Sequence, residues 1–388
     1  MKIDPYNHKE RYLKWKEKTV NGIQGISPFN SEITKKYLDD MERGLNIASE
    51  SVKGPRSYIR LNSLREKMIS FSKRFKEIYG IDKITDITEE QVMGFFYDMQ
   101  NGTIKRNDGR DYTNIATHVR IFKAFWHWHQ KVNRKKGIEI KDITCDLDTR
   151  TTKPKWVYLT EKDVKRLCDN AKLDYRILIM FLYDTGIRSP TELINLKVSD
   201  LFNDCKELNI RQETSKTFGR RIKLLLCSEL IKEHVQNHNL QPSDFLFPIK
   251  YNIVNKYLRR LAKRVFGEKE SPAGAKYSEL TMYDFRHCSC CYWLPRYKSE
   301  SALKYRFGWK KSDKIHYYSE LLGMKDTISD EDMLVDVTKI EIEKRLDKAE
   351  KENQMLKEDN EQMKLQIAKI AEVTSQLYRQ MKLQELEL

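Results

Sequence analysis

RFGWKKSDKIHYYSELLG, residues 306–323, sets two adjacent tyrosines, Tyr317 and Tyr318, among cationic side chains. A phenol titrates at about pH 10, so neither hydroxyl is a nucleophile at neutral pH unless its neighbours favour the phenolate. Upstream lie two blocks with a central arginine, TGIRSPTEL at 185–193 and YDFRH at 283–287, with SKTFGRR at 215–221 between them. Separated cationic blocks that converge on one tyrosine suit phosphoryl chemistry on a polyanion.

The composition agrees with a polyanionic partner. The chain has 388 residues and a formal net charge of +15, with 39% hydrophobic and 33% charged residues. This favours nucleic acid over a membrane surface. Residues 338–388 carry 10 Lys+Arg against 11 Asp+Glu, so the basic excess belongs to the body of the chain. No long apolar run appears and the N-terminal sequence is charged from the start, which predicts no membrane association. Seven scattered cysteines fit reduced thiols, and hence a cytoplasmic location.

Working back from the tyrosines, the sequence predicts a mainly α chain. Residues 1–30 read as a helical arm with a flexible joint at NGIQGISPF. Residues 31–137 read as a helical bundle with apolar faces such as Ile33, Tyr37, Leu38 and Met41, then Ile59, Leu64, Met68, Phe71 and Phe75. Thr88 with Gln91 forms a capping-box signature ahead of Val92, Phe95, Phe96 and Met99. A further helix carries Ile115, Val119, Phe122 and Trp126. In FWHWH (125–129) the two histidines are two positions apart, on different helix faces, which argues for core packing rather than a metal site. Lys53, Arg56, Arg60, Lys105, Arg106, Arg110, Arg120 and Lys123 are the candidate DNA-phosphate contacts of this region, although each alone also reads as solvated surface.

Residues 138–156 form a polar linker, and a second domain spans 157–330. Gly186 would end an apolar helix and leave Arg188 at the mouth of the next helix. ELNIRQET and GRRIKLLL would form a hairpin of a small antiparallel sheet, with Lys216 near its tip. Cys288, Cys290 and Cys291 lack a second pair at ligand spacing and read as buried thiols, so no metal site is predicted.

The tail, 338–388, keeps a heptad pattern with Leu346, Asn353, Asn360 and Ile367 at a and Ala349, Leu356, Met363 and Ile370 at d. Asparagines at a and the opposite-charge pairs Arg345–Glu350, Glu352–Lys357 and Asp359–Lys364 predict a parallel coiled coil and a homo-oligomer. A long amphipathic helix docked elsewhere is the alternative.

The ordered blocks resemble the tyrosine recombinases, or phage integrase family, over residues 31–325. TGIRSPTEL resembles the first-arginine box, KTFGRR carries a lysine where the family has its hairpin lysine, and YDFRH resembles the His-x-x-Arg box. FGW followed nine residues after Trp309 by Tyr318 resembles the last box and its nucleophile. Tyr283 stands in the histidine place and Trp309 in the histidine/tryptophan place, both similar to archaeal-type integrases. Glu192 lies four residues after Arg188, where three is commoner.

The resemblance implies an α+β catalytic domain behind a helical core-binding domain. It implies a site-specific DNA recombinase or integrase, using Arg188, Lys216, Tyr283, Arg286, Trp309 and Tyr318 on double-stranded DNA. Arg188 and Arg286 would clamp phosphate oxygens, and Lys216 would protonate the departing 5′ oxygen. The link to Tyr318 would be 3′-phosphotyrosyl, so the implied reaction uses no cofactor, metal or ATP. Tyr317 is the competing nucleophile; the spacing from Trp309 and the following Gly323 favour Tyr318. A non-catalytic DNA-binding derivative dimerised by its coiled coil is the second reading, and a monomeric type IB topoisomerase the third.

Overall fold

Capping and apolar periodicity set the helices of the first half of the chain. In the computed structural model, the described residues are 3–48, 51–151, 154–297, 299–322 and scattered positions between 346 and 368. The chain divides into two compact units, Met1–Tyr318 and Ser319–Leu388. The first unit opens with helices α1 (His8–Lys18), α2 (Pro28–Arg43), α3 (Tyr58–Tyr79), α4 (Glu89–Gln100) and α5 (Ile115–Arg134). Ser27 caps α2 ahead of Pro28, and Thr88 and Gln91 form the expected capping box of α4.

The 22-residue α3 is the axis of this bundle and packs against α1, α2 and α5. Its Phe71 ring centre lies 5.5 Å from Phe122, 6.0 Å from Phe96 and 6.2 Å from Phe95, all edge-on. Edge-to-face pairs of this kind add about 0.5–1.5 kcal/mol each beyond area burial. Ile59 is a correction: it is exposed, and the apolar face of α3 begins at Leu61. The arm is less separate than its composition suggests. Tyr12 of α1 is fully buried in the bundle core, and buried Ile23, in the segment read as a joint, donates its N–H to Ser31 Oγ. Ile143 and Leu147, from the stretch read as a polar linker, also join this core. In FWHWH, Phe125, Trp126 and Trp128 are buried, and His127 bonds Asp142 at 3.1 Å.

The second half comprises α6 (Glu161–Asp169), α7 (Leu173–Thr185), β1 (Leu201–Phe202), β2 (Glu207–Ile210), β3 (Arg220–Lys223), α8 (Ser228–Asn237), α9 (Tyr251–Phe266), α10 (Asp284–Trp293), α11 (Glu300–Phe307) and α12 (Asp313–Leu321). The strands form an antiparallel sheet in the order β1-β2-β3, with Leu208 opposite Ile222. The expected hairpin is thus β2–β3. The segment after Arg188 differs from expectation: it is a turn followed by a single 3-10 turn, Leu193–Asn195. With no α-helix there, helix-terminal amides do not supply an anion site beside Arg188.

Most of the predicted coiled coil, including Ile370, lies outside the described residues. The described positions between 346 and 368 are helical, and Leu346, Leu356, Met363 and Ile367 are more than half exposed. Among the described residues, no helix is long and apolar enough to cross a membrane.

Candidate active site

The site is organised by the C-terminus of α11. The last carbonyls of an α-helix have no intrahelical partner and lie at the negative end of its dipole, so they attract cations. Here three arginines from separate blocks meet them. Arg220 donates through Nε to the Arg306 carbonyl at 2.8 Å, Arg286 through Nη2 to Phe307 at 2.5 Å, and Arg188 through Nη2 to Gly308 at 2.7 Å. Thr217, beside Lys216, adds its hydroxyl to the Gly308 carbonyl at 2.8 Å. Gly308 takes a φ of +62°, and a Cβ there would lie 3.0 Å from Arg220 Nη1 and 3.2 Å from Arg188 Nη1. Glycine therefore ends α11 and leaves room for the guanidinium groups.

Glu192 holds the cluster from the other side. It is fully buried, accepts from Arg188 at 2.7 Å and from Arg220 at 2.9 Å, and also takes the Arg188 backbone N–H at 3.1 Å. Burial alone would raise its pKa. The hydrogen bonds and charge of Arg220, with the charge of Arg188, outweigh this and hold the carboxyl at about 2. The four-residue spacing that departs from the commoner pattern is thus compatible with direct pairing to Arg188. Arg286 is 5% exposed, and its Nη1 also donates to the Gly186 carbonyl at 2.6 Å. Burial, and then the charge of Arg188, lower its pKa, with Glu192 opposing. A second buried pair braces the floor: Arg306 Nη2 bonds Asp184 Oδ1 at 2.7 Å.

Tyr318 lies on α12 beneath an aromatic cover. Its ring stacks on Trp309 at 6.0 Å and meets Trp156 edge-on at 6.2 Å. Its hydroxyl is paired with His287 Nδ1. Burial pushes the phenol well above its usual range and the Cys290 thiol adds to this, while Arg286 pulls the other way. The easing of ionisation by the Arg286 charge is therefore present but outweighed in this conformation. Tyr317 is turned elsewhere, accepting from Trp156 Nε1 at 2.7 Å.

The remaining sequence-predicted residues are more scattered. Tyr283 is half-exposed at the start of α10, 5.2 Å from the His287 ring. Lys216 is exposed in the β2–β3 loop. Cys288, Cys290 and Cys291 are buried, and burial raises all three thiols, as expected of inert packing groups.

In the first bundle, Arg56 and Arg60 line a cavity of about 220 Å³ with Tyr37 and Ala124. Arg120 and Lys123 of α5 reach the carbonyls of Thr149 and Cys145. Lys105, Arg106 and Arg110 are exposed in the α4–α5 loop, where Arg106 pairs with Asp108, and Lys53 is exposed near Ala48.

Sequence reasoning missed Arg220, Thr217 and His287. Arg220 was recoverable from strand alternation, since β3 buries Arg220 and Ile222 and exposes Arg221 and Lys223. His287 is adjacent to Arg286 in sequence, but nothing local indicates that it would reach Tyr318, 31 positions away.

The family model described as the phage integrase family matches residues 157–323. No curated protein matches the chain. Among solved structures, the Tn1549 transposon integrase in complex with circular intermediate DNA is 16% identical, with a TM-score of 0.54 over 76% of this chain and 99% of that one. A lambda integrase dimer bound to a core site is also 16% identical, with a TM-score of 0.50 over 75% of this chain and 78% of that one. At such identities the likeness is one of fold, and the family rests on the matched residues and their motifs. Residues 157–323 thus form a domain that matches the phage integrase family, the tyrosine recombinases.

Proposed function

We propose that the chain is a site-specific DNA recombinase that cuts and rejoins double-stranded DNA through a 3′-phosphotyrosyl link at Tyr318. The observation that carries this reading is the meeting of Arg188 and Arg286 at the C-terminus of α11, with Tyr318 nearby on α12. Arg188 and Arg286 present planar donors suited to the phosphate oxygens, where negative charge builds during attack. The Tyr318 oxygen attacks phosphorus, and its proton passes to the hydrogen-bonded His287. The bond to the 5′ oxygen breaks, and exposed Lys216 protonates that oxygen as its loop closes on DNA. Tyr283 donates a hydrogen bond to a phosphate oxygen, and Trp309 packs on the tyrosine ring. Rejoining reverses these steps, so the bond energy is kept in the phosphotyrosine.

Conversion of the described conformation to a reactive one has two requirements. The Tyr318 hydroxyl must leave its buried, protonated setting, and the arginines must exchange carbonyl partners for phosphate. DNA phosphate supplies the arginines with a stronger, charged acceptor. Lys53, Arg56, Arg60, Lys105, Arg106, Arg110, Arg120 and Lys123 contact phosphates along the duplex, which predicts steeply salt-dependent binding. Residues 338–388 join protomers.

A second reading, a non-catalytic DNA-binding derivative, is favoured by one observation: both Nη atoms of Arg286 are already held by carbonyls. Incubation with DNA carrying a nick near the cognate site, which lets the short fragment bearing the free 5′ hydroxyl escape, separates the two. The enzyme gives an adduct that survives denaturing gels and is lost in Tyr318→Phe. DNA binding without an adduct from the wild type selects the second reading.

A further inference from the structure

Helices α7 and α8 pack against each other, and one end of the pair is clamped by a carboxylate. Asp184 Oδ2, near the C-terminus of α7, accepts the backbone N–H groups of Leu225, Leu226 and Cys227, the last of these the N-cap of α8. Asp174, in the first turn of α7, meets His234 and His238 at the end of α8. One donor atom from each of these three side chains lies within 4.8 Å of the others. The i, i+4 spacing puts both imidazoles on one helix face, with ring centres 4.5 Å apart.

Hydrogen bonding fixes which ring nitrogen is left over. His234 Nε2 lies 3.0 Å from the Leu246 carbonyl, which only accepts, so Nε2 carries the hydrogen and Nδ1 keeps its lone pair. That Nδ1 is buried with no hydrogen-bond partner, on a side chain only 6% exposed. By the same reasoning His238 Nδ1 donates to the His234 carbonyl at 3.0 Å, leaving the Nε2 lone pair 3.6 Å from Asp174 Oδ1. Two imidazoles and a carboxylate thus share one corner, each with a donor atom within 4.8 Å of the others, and a cation there would be held by all three. Imidazoles that give their other N–H to a backbone carbonyl have the outer-shell support usual for metal-binding histidines.

We propose that Asp174, His234 and His238 form a zinc-binding site that staples the start of α7 to the end of α8. Two imidazoles and one carboxylate are a borderline donor set suited to Zn²⁺, with water completing the tetrahedron. Bound donors would stand about 3.3 Å apart, given zinc–ligand bonds of ~2.0–2.2 Å. The side chains of His238 and Asp174 are 44% and 68% exposed, which gives them freedom to close that distance around buried His234. The staple would sit at the end of the pair opposite the Asp184 clamp. It would stiffen the helix that leads to Gly186 and Arg188, and it takes no part in the bond-breaking chemistry.

The test uses the full chain, stripped on a chelating resin and titrated with Zn²⁺ against a chromophoric chelator, with thermal unfolding in parallel. The partly exposed His238→Ala and Asp174→Asn are the working variants, because loss of buried His234 risks the fold. The wild type should bind one more equivalent than His238→Ala, and its Tm should rise by ~3–6 °C with saturating zinc while the variant's stays put. Asp174→Asn should bind more weakly. Co²⁺ in place of zinc should give ligand-field bands without thiolate charge transfer, excluding the cysteines. Equal stoichiometry, affinity and Tm response in wild type and His238→Ala would overturn the proposal, as would a thiolate band in the cobalt protein.

Discussion

Replacing Glu192 with Gln should remove the charge that two arginines share while keeping the side-chain shape. Glu192 is fully buried and so is Arg220, so solvent screens the pair little. The carboxyl is held at about 2 against an ordinary 4.5. At roughly 1.36 kcal/mol per pH unit, this is about 3 kcal/mol of stability at neutral pH. Breaking one partner out of a buried ion pair gives a similar figure by a separate route, ~3–5 kcal/mol. The sign follows from the depressed pKa: the contribution is complete above the unfolded value near 4.5 and is lost as pH falls from there towards 2. Urea unfolding of wild type and Glu192→Gln, run from pH 7 down to pH 3, measures this. The variant should be about 3 kcal/mol less stable at pH 7, and the gap should narrow below pH 4.5. A gap under 1 kcal/mol at pH 7, or one that does not change with pH, would refute the account of how Arg188 is held.

The other predictions follow from single contacts. Gly308→Ala should cost ~1–2 kcal/mol from the left-handed backbone alone. It should also slow adduct formation, because its methyl would crowd Arg188 and Arg220; an unchanged Tm and rate would contradict this. Phe122→Ala removes a fully buried ring that touches Phe71, Phe75, Phe96 and Trp126, and should lower stability by ~3–5 kcal/mol in denaturant titrations. Deleting residues 338–388 should reduce the mass measured by light scattering while DNA cleavage persists at least in part. An unchanged mass would remove the tail from the assembly.

The start of α4 was legible in the sequence because capping is local: Thr88 with Gln91 closes within one turn. The β2–β3 hairpin was legible from alternation, and the arginine blocks from their order. The convergence at α11 was not. The Arg188–Gly308 and Arg286–Gly186 bonds join residues at least 100 positions apart, and no local pattern encodes that a helix C-terminus would gather them. For the same reason the turn after Arg188 was read as a helix: Ser189–Glu192 carries helix-start residue types, but Glu192 is drawn inward by Arg220. Tyr12 and Leu147 were assigned to arm and linker because each stands among polar neighbours, yet single buried side chains are enough to tie those segments to the bundle.

The most direct test of Tyr318 chemistry is to identify the residue that carries DNA. Adducts formed on nicked cognate DNA would be digested with nuclease and protease, and the modified peptide sequenced by mass spectrometry. The account predicts a 3′-phosphonucleotide on Tyr318, with Tyr317 unmodified. Modification at Tyr317, or no modified tyrosine from DNA that the protein binds specifically, would contradict it.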